Sequence, residues 1–186
     1  MLEALAASFA VVALAEIGDK TMLLAIVLAA RFRKPLPIIF GILFATLANH
    51  AVASFAGAQA AAWFDGAWFR LAVALGFITM GLWTLVPDKF DDDEQPKQRF
   101  GPFLTTLVAF FLVEIGDKTQ VATIALGARY HDVLAVTAGT TLGMLAANVP
   151  AVLLGDRLVQ KISLKYIRWA AAALFIGLGA WMLAAG

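Results

Sequence analysis

A charged hexapeptide occurs twice in this chain, each time inside a long apolar stretch. Glu16 to Thr21 reads Glu-Ile-Gly-Asp-Lys-Thr, and Glu114 to Thr119 repeats it letter for letter. One charged side chain at the centre of a bilayer costs about 2.5–3.5 kcal/mol on insertion scales. A chain that places two carboxylates and a lysine there twice must turn them toward protein or a water-filled cavity rather than toward lipid. Both copies are therefore candidate functional sites.

The composition is that of an integral membrane protein. Of the 186 residues, 62% are hydrophobic and 15% are charged, whereas an average soluble domain has about 25% charged residues. Apolar stretches of about 20 residues or more recur along the chain, long enough to cross a bilayer as helices. We therefore predict an all-α integral membrane protein with six transmembrane helices. The predicted spans are at about residues 4–30, 35–60, 67–87, 102–128, 132–155 and 165–185.

The second half of the chain repeats the first at a constant spacing of 98 residues. An ungapped alignment of 1–88 with 99–186 contains 25 identities. The sequence thus predicts a first three-helix repeat at 1–87, an acidic linker at 88–101 and a second three-helix repeat at 102–186. Because each repeat has an odd number of spans, the second must enter the membrane in the opposite direction, which is an inverted-topology repeat.

Lysine and arginine residues predict the orientation in the membrane. Outside the hexapeptides, ten lie in the loops after the first, third and fifth spans, and two lie on the other side. The positive-inside rule places the basic loops, including linker 88–101, in the cytoplasm and both termini outside. The acidic linker is then either a solvated connector or a low-affinity collector of cations.

Read as a continuous helix, the hexapeptide directs its charged side chains toward one face. Glu16 and Asp19 are three residues apart and Lys20 is four residues from Glu16, spacings that bring side chains together on a helix. Gly18 lies between them and has low helix propensity. It could let the helix loosen and offer backbone carbonyl oxygens to a cavity.

Together, the two copies make a site suited to cations. If an antiparallel second helix brings Glu114 and Asp117 to Glu16 and Asp19, four carboxylates and two ammonium groups leave a charge of −2. That charge suits one divalent cation, or two protons in its absence. Oxygen ligands favour magnesium, calcium and manganese. Competition between cation and protons for the same carboxylates predicts proton-coupled transport by alternating access.

A purely structural role for the charges is the first alternative. Glu16 and Lys20, like Glu114 and Lys118, could form buried ion pairs that hold helices together without any substrate. Such pairs stabilise poorly, because the desolvation cost cancels much of the Coulomb attraction.

Other polar residues in the apolar stretches leave several roles open. Asn49 or Asn148 could complete a coordination sphere or bond a neighbouring helix. His50 is more easily explained by packing or proton relay than by ligation, because Asn148 stands at its repeat position. Gln120 offers a side-chain oxygen where the first copy has Met22.

The doubled E-x-G-D-[KR]-[TS] motif, one copy in each half, resembles the GDT family of cation:proton antiporters. The resemblance covers essentially the whole chain and implies Mn²⁺ or Ca²⁺ as substrate with protons as the counter-ion. For a short bacterial member it implies export of Mn²⁺ across the inner membrane, with a Ca²⁺/H⁺ antiporter as the alternative. The family motif does not include Asn49, which we add because its carboxamide could complete a coordination sphere. The predicted metal ligands are Glu16, Asp19, Thr21, Asn49, Glu114, Asp117, Thr119 and Gln120. The residues predicted to couple protons or balance charge are Glu16, Lys20, Glu114 and Lys118.

Two further functions fit parts of the pattern. Asp19 and Asp117 could form an intramembrane aspartyl protease dyad, but the lysine after each aspartate favours two ionised carboxylates, whereas such a dyad shares a proton. A cation channel would use the same charges without proton coupling. We expect no cofactor apart from the transported ions. The net charge of +1 and the absence of a basic patch exclude a nucleic-acid partner, and no oligomeric state is predicted.

Overall fold

The computed structural model describes residues 1–64, 66–86, 100–155 and 164–184, and its regular structure there is entirely helical. The helices are α1 Leu2–Glu16, α2 Lys20–Phe32, α3 Pro35–Trp63, α4 Ala67–Thr84, α5 Pro102–Glu114, α6 Lys118–Tyr130, α7 Val133–Leu154 and α8 Leu164–Ala184. The prediction of an all-helical chain is confirmed for these residues. Residues 88–99 of the predicted linker at 88–101 lie outside them.

Local signals account for where several helices begin. α3 and α5 start at Pro35 and Pro102, where the missing proline N–H has no helical partner to lose. α7 is capped by Asp132, whose carboxylate accepts a hydrogen bond of 3.0 Å from the backbone N–H of Ala135. Because α2 and α6, and likewise α3 and α7, begin 98 residues apart, the two halves share one order of helices.

The structure corrects the prediction that the first and fourth spans are continuous helices. Each is two helices, α1 with α2 and α5 with α6, separated by Ile17–Asp19 and Ile115–Asp117. Gly18 has φ +86° and Gly116 has φ +80°. This left-handed region interrupts an α-helix, and glycine adopts it without a steric cost. The spacings of three and four residues assumed for a continuous helix therefore do not apply to the motif side chains.

Within the described ranges, four helices are long and apolar enough to cross a membrane alone, namely α3, α4, α7 and α8. The other four have 13 to 15 residues and extend about 20 Å each, less than the roughly 30 Å of a bilayer core. The chain is thus a multi-pass membrane protein. Six spans, which require α1–α2 and α5–α6 each to cross as a broken helix, stay a prediction.

Helices from opposite halves pack closely at glycines, in defined directions. α1 and α7 run parallel, because Gly139 packs against the backbone of Leu5 and Gly143 packs against that of Phe9. α3 and α5 are also parallel. Gly41 of α3 packs against Phe103, near the start of α5, and contacts later in α3 reach the end of α5.

α4 and α8 pack against each other in the opposite sense. Gly81 contacts the carbonyl oxygen of Ala172, and Gly179 contacts that of Ala74. Both the two glycines and the two alanines are 98 residues apart, so each half makes the same contact with the other. The small residues let the two backbones approach closely.

Candidate cation site

The four acidic residues of the hexapeptides lie at the two helix breaks. Glu16 and Glu114 are the last residues of α1 and α5, and Asp19 and Asp117 immediately precede α2 and α6. All four are buried, none more than 4% exposed. Each break also brings the negative end of one helix dipole and the positive end of the next close together. Broken membrane helices present ion-binding groups in this manner.

Three of the four carboxylates converge from the two halves of the chain. Glu16, Asp19 and Asp117 each offer an oxygen, and these oxygens all lie within 4.8 Å of one another. Glu114 is not part of this closest group. The arrangement is large enough and polar enough to hold one cation among side chains from both repeats.

The motif lysines pair across the two halves rather than within their own hexapeptide. Lys118 Nζ lies 3.2 Å from Asp19 Oδ1, and Lys20 Nζ lies 3.6 Å from Asp117 Oδ1. This corrects the alternative in which each lysine pairs with the glutamate four residues earlier. The helix break places that glutamate and that lysine on different helices, so the continuous-helix geometry is lost. The lysines therefore join the two breaks to each other.

The motif threonines hold the glutamates of their own half. The Thr21 hydroxyl donates a hydrogen bond to Glu16 Oε2. The Thr119 hydroxyl lies 3.2 Å from Glu114 Oε2 and 3.3 Å from Asp117 Oδ2. A threonine at the start of α2 or α6 thus bridges the break and orients the carboxylate at the end of the preceding helix.

The long helices α3 and α7 bring one polar side chain each to a glutamate of the opposite half. His50 Nε2 lies 3.7 Å from Glu114 Oε2, and Asn148 Nδ2 lies 3.5 Å from Glu16 Oε2. Both polar residues are fully buried. The sequence left both Asn49 and Asn148 open as ligands, and the predicted ligand set included only Asn49 of the two. The signal that could have singled out Asn148 is its position 98 residues after His50, which makes the two a matched pair.

Two predicted ligands form hydrogen bonds to the backbone of the second half. Asn49 Nδ2 donates a 3.0 Å hydrogen bond to the carbonyl oxygen of Phe111, in the last turn of α5. Gln120 Oε1 accepts a 2.8 Å hydrogen bond from the backbone N–H of Gly116. Gln120 thereby satisfies a backbone N–H that lies between the two helices and has no helical acceptor. Both hydrogen bonds support the backbone beside the break between α5 and α6.

Several oxygens in the site have no hydrogen-bond partner among the described residues. They are Glu16 Oε1, Glu114 Oε1 and Asn148 Oδ1. A buried polar atom left unsatisfied costs about 1–3 kcal/mol, more when it is charged. A cation or protons at this place would satisfy such oxygens.

Comparison with known proteins gives a family that covers both halves. The sequence profile of the divalent cation/proton antiporter GDT1 family matches residues 4–92 and 102–186. A Vibrio cholerae protein named "Putative manganese exporter" is 50% identical over 177 residues, covering 95% of this chain and 88% of that protein. The Arabidopsis thaliana GDT1-like protein 5 is 30% identical over 218 residues, covering 96% of this chain and 94% of that protein. No solved structure matches the chain.

These matches confirm the resemblance drawn from the doubled motif. The family consists of transporters rather than enzymes, so the chain is a transporter and the protease alternative is wrong. Its substrates are a divalent cation and protons. The chain belongs to the GDT1 family of divalent cation/proton antiporters.

Proposed function

We propose that this protein exports Mn²⁺ from the cytoplasm in exchange for protons, with Glu16, Asp19, Glu114 and Asp117 as its central cation-binding and proton-binding groups. The observation that carries the proposal is the meeting of Glu16, Asp19 and Asp117 oxygens within 4.8 Å, in a buried place formed by both halves. Hard oxygen ligands of this kind suit Mn²⁺, Ca²⁺ or Mg²⁺.

The charges in the site support exchange rather than simple binding. Asp19 and Asp117 each face a lysine of the opposite half, so the two pairs are close to neutral without any substrate. Glu16 and Glu114 face neutral or weakly basic partners, Asn148 and His50. Two ionised glutamates then match the charge of one divalent cation, and two protons match it in its absence. A site that is emptied of both would carry uncompensated charge in a membrane interior, which is costly.

Access to the site from alternate sides is supported by the pattern of helix contacts. An inverted repeat with three spans per half makes α1 parallel to α7, α3 parallel to α5 and α4 antiparallel to α8. The glycine contacts of these helices have those directions. Rocking of one half against the other would open a midplane site to one side at a time. We place the protein in the inner membrane, with both termini outside and linker 88–101 in the cytoplasm.

Manganese is proposed over calcium on the strength of the relative from Vibrio cholerae. Its printed name describes manganese export, and it shares half of its aligned residues with this chain. Ca²⁺ is the second candidate substrate, because the oxygen ligands of the motif do not discriminate strongly between the two ions.

The test is cation uptake into proteoliposomes under an imposed pH gradient. Glu16→Gln and Glu114→Gln keep the shape of the side chain and remove its charge, and we expect either to abolish Mn²⁺ exchange. Glu3→Gln is the matched control, because Glu3 is exposed at the start of α1, and it should exchange like the wild type. Unimpaired exchange in both glutamate variants would refute the site.

The same proteoliposomes separate an exchanger from a channel. An exchanger moves Mn²⁺ inward only while protons move outward, so Mn²⁺ entry should alkalinise the lumen in proportion. Collapsing the pH gradient with a protonophore should stop the uptake that this gradient drives. Uptake that continues down a Mn²⁺ gradient without proton movement would indicate a channel. Adding Ca²⁺ in excess measures whether calcium competes for the same site.

A further inference from the structure

His50 is a fully buried side chain in the site whose ring nitrogens are both unsatisfied. Neither Nδ1 nor Nε2 has a hydrogen-bond partner among the described residues. Nε2 lies 3.7 Å from Glu114 Oε2, which is longer than a hydrogen bond. Buried polar groups in proteins are nearly always hydrogen-bonded, and an exception calls for an explanation such as an absent ion. A histidine that served packing alone would bond at least one nitrogen.

We infer that His50 is a nitrogen ligand of the transported cation and the residue that makes the site favour a transition-metal ion such as Mn²⁺ over Ca²⁺. The inference rests on the proposed function and adds the residue that selects the substrate. Glu114 lies outside the closest group of Glu16, Asp19 and Asp117 oxygens, but the Thr119 hydroxyl connects it to Asp117. It is the carboxylate that would bind the same ion beside His50.

The distance between the two side chains is compatible with one shared ion. Ions held at about 2.0–2.6 Å from their ligands have neighbouring ligand atoms roughly 3–5 Å apart. The 3.7 Å between His50 Nε2 and Glu114 Oε2 lies within that interval. The two groups are thus too far apart to bond each other and close enough to bind one cation together.

The two halves differ at this position, and the difference is chemical. Asn148 stands 98 residues after His50 and approaches Glu16 as His50 approaches Glu114. Asn148 Oδ1 has no hydrogen-bond partner among the described residues, so α7 offers an oxygen where α3 offers a nitrogen. Without His50, the two identical hexapeptides and Asn148 would present oxygen ligands alone.

A nitrogen ligand changes which ion the site prefers. Ca²⁺ and Mg²⁺ take oxygen ligands almost exclusively, whereas imidazole is a good ligand for first-row transition metals. Mn²⁺ accepts both oxygen and nitrogen. A site of several carboxylates and one imidazole therefore keeps its affinity for Mn²⁺ and has a lower affinity for Ca²⁺. The motif carboxylates alone do not distinguish the two ions.

Pulsed electron paramagnetic resonance of bound Mn²⁺ tests the inference directly. A coordinated imidazole nitrogen modulates the Mn²⁺ spin echo, and the modulation changes when ¹⁴N is replaced by ¹⁵N. The chain has two histidines, His50 and His131, so protein grown on ¹⁵N-histidine labels only these. We expect nitrogen modulation from the wild-type protein, its loss in His50→Asn and its retention in His131→Asn. His131 is an exposed left-handed helix cap, a conformation that asparagine tolerates.

Each outcome has a distinct meaning. Mn²⁺ that binds the wild type without histidine-nitrogen modulation would overturn this inference and leave the proposed function standing. Wild-type protein that leaves the free Mn²⁺ spectrum unchanged would overturn both. The labelled wild type gives its answer even if the His50 variants do not fold.

Transport selectivity supplies the second readout. In proteoliposomes, His50→Asn and His50→Gln should lower the preference for Mn²⁺ over Ca²⁺ by at least about tenfold, the size of effect seen when a group that supports metal binding is lost. Unchanged selectivity in a variant that still exchanges ions would contradict the assignment.

Discussion

The two lysine–aspartate pairs that join the halves differ in depth. In the pair of Lys118 with Asp19, the side chains are 5% and 3% exposed, and their charged atoms are 3.2 Å apart. In the pair of Lys20 with Asp117, the lysine is 26% exposed and the distance is 3.6 Å. Identical hexapeptides therefore form unequal ion pairs, because the surroundings of the two breaks differ.

This inequality predicts unequal losses of stability. Lys118→Met should lower the free energy of unfolding by about 3 kcal/mol, since it removes a charged partner from the buried Asp19 carboxylate. Lys20→Met should cost about 1 kcal/mol or less, because water screens a partly exposed pair. Thermal unfolding in detergent, followed by the fluorescence of the five tryptophans, gives the two midpoints. Equal midpoints for the two variants would contradict the difference in burial.

At the residue scale, the sequence singled out acidic side chains that lie together in the structure, but not how they pair. The duplicated motif singled out the acidic residues, because charge in an apolar stretch is costly wherever the chain folds. The pairing of Lys118 with Asp19 joins residues 99 positions apart, and that of Asn148 with Glu16 joins residues 132 apart. No local pattern encodes contacts of that separation.

At the scale of elements, the glycines of the hexapeptides hold the helix breaks in a conformation that other residues resist. Gly18→Ala and Gly116→Ala should each destabilise the protein by about 1–2 kcal/mol, the cost of the left-handed region for an L-residue. Both should also slow Mn²⁺ exchange, because alanine favours continuing the helix through the site. Thermal unfolding and proteoliposome uptake measure the two effects.

Gly76→Ala is the matched control for these variants. Gly76 lies inside α4, and an added methyl group there would meet nothing within 4 Å. It should leave exchange unchanged. If Gly18→Ala and Gly116→Ala behave like Gly76→Ala, the positive φ angles are not needed for the site.

A second pair of glycines sets the distance between α3 and α6. A methyl group on Gly57 would collide with the carbonyl oxygen of Ile124, and one on Gly127 would collide with that of Ser54. Backbone cannot move aside as a side chain can, so Gly57→Ala and Gly127→Ala should each cost about 1–3 kcal/mol or more. Gly177→Ala, in open space within α8, should instead be neutral or stabilise by up to about 1 kcal/mol. Unfolding midpoints that rank the three variants otherwise would contradict the packing.

Whole-molecule topology is testable because the chain has no cysteine. Arg33→Cys and His131→Cys introduce single thiols at equivalent positions, both exposed helix caps with φ of +52° and +53°. An inverted repeat places them on opposite sides of the membrane. In intact cells, a membrane-impermeant maleimide should label His131→Cys and should label Arg33→Cys only after the cells are opened.

The two variants serve as controls for each other, since any strain from a cysteine at a left-handed cap is the same in both. Labelling of both from outside would place the halves in the same orientation and contradict the inverted repeat.

The sequence by itself determined the helical membrane class, the family and the residues that carry charge. These properties depend only on the order of the residues. The length of the apolar stretches, the repeated motif and the net charge are the same in any fold. Only the tertiary structure decided where the two motif-bearing spans break. One glycine disfavours a helix too weakly to break it alone, so contacts with distant helices determine the outcome. It also decided that the aspartate of each half pairs with the lysine of the other half. Those contacts depend on which helices pack together, and they exist only once both halves have folded.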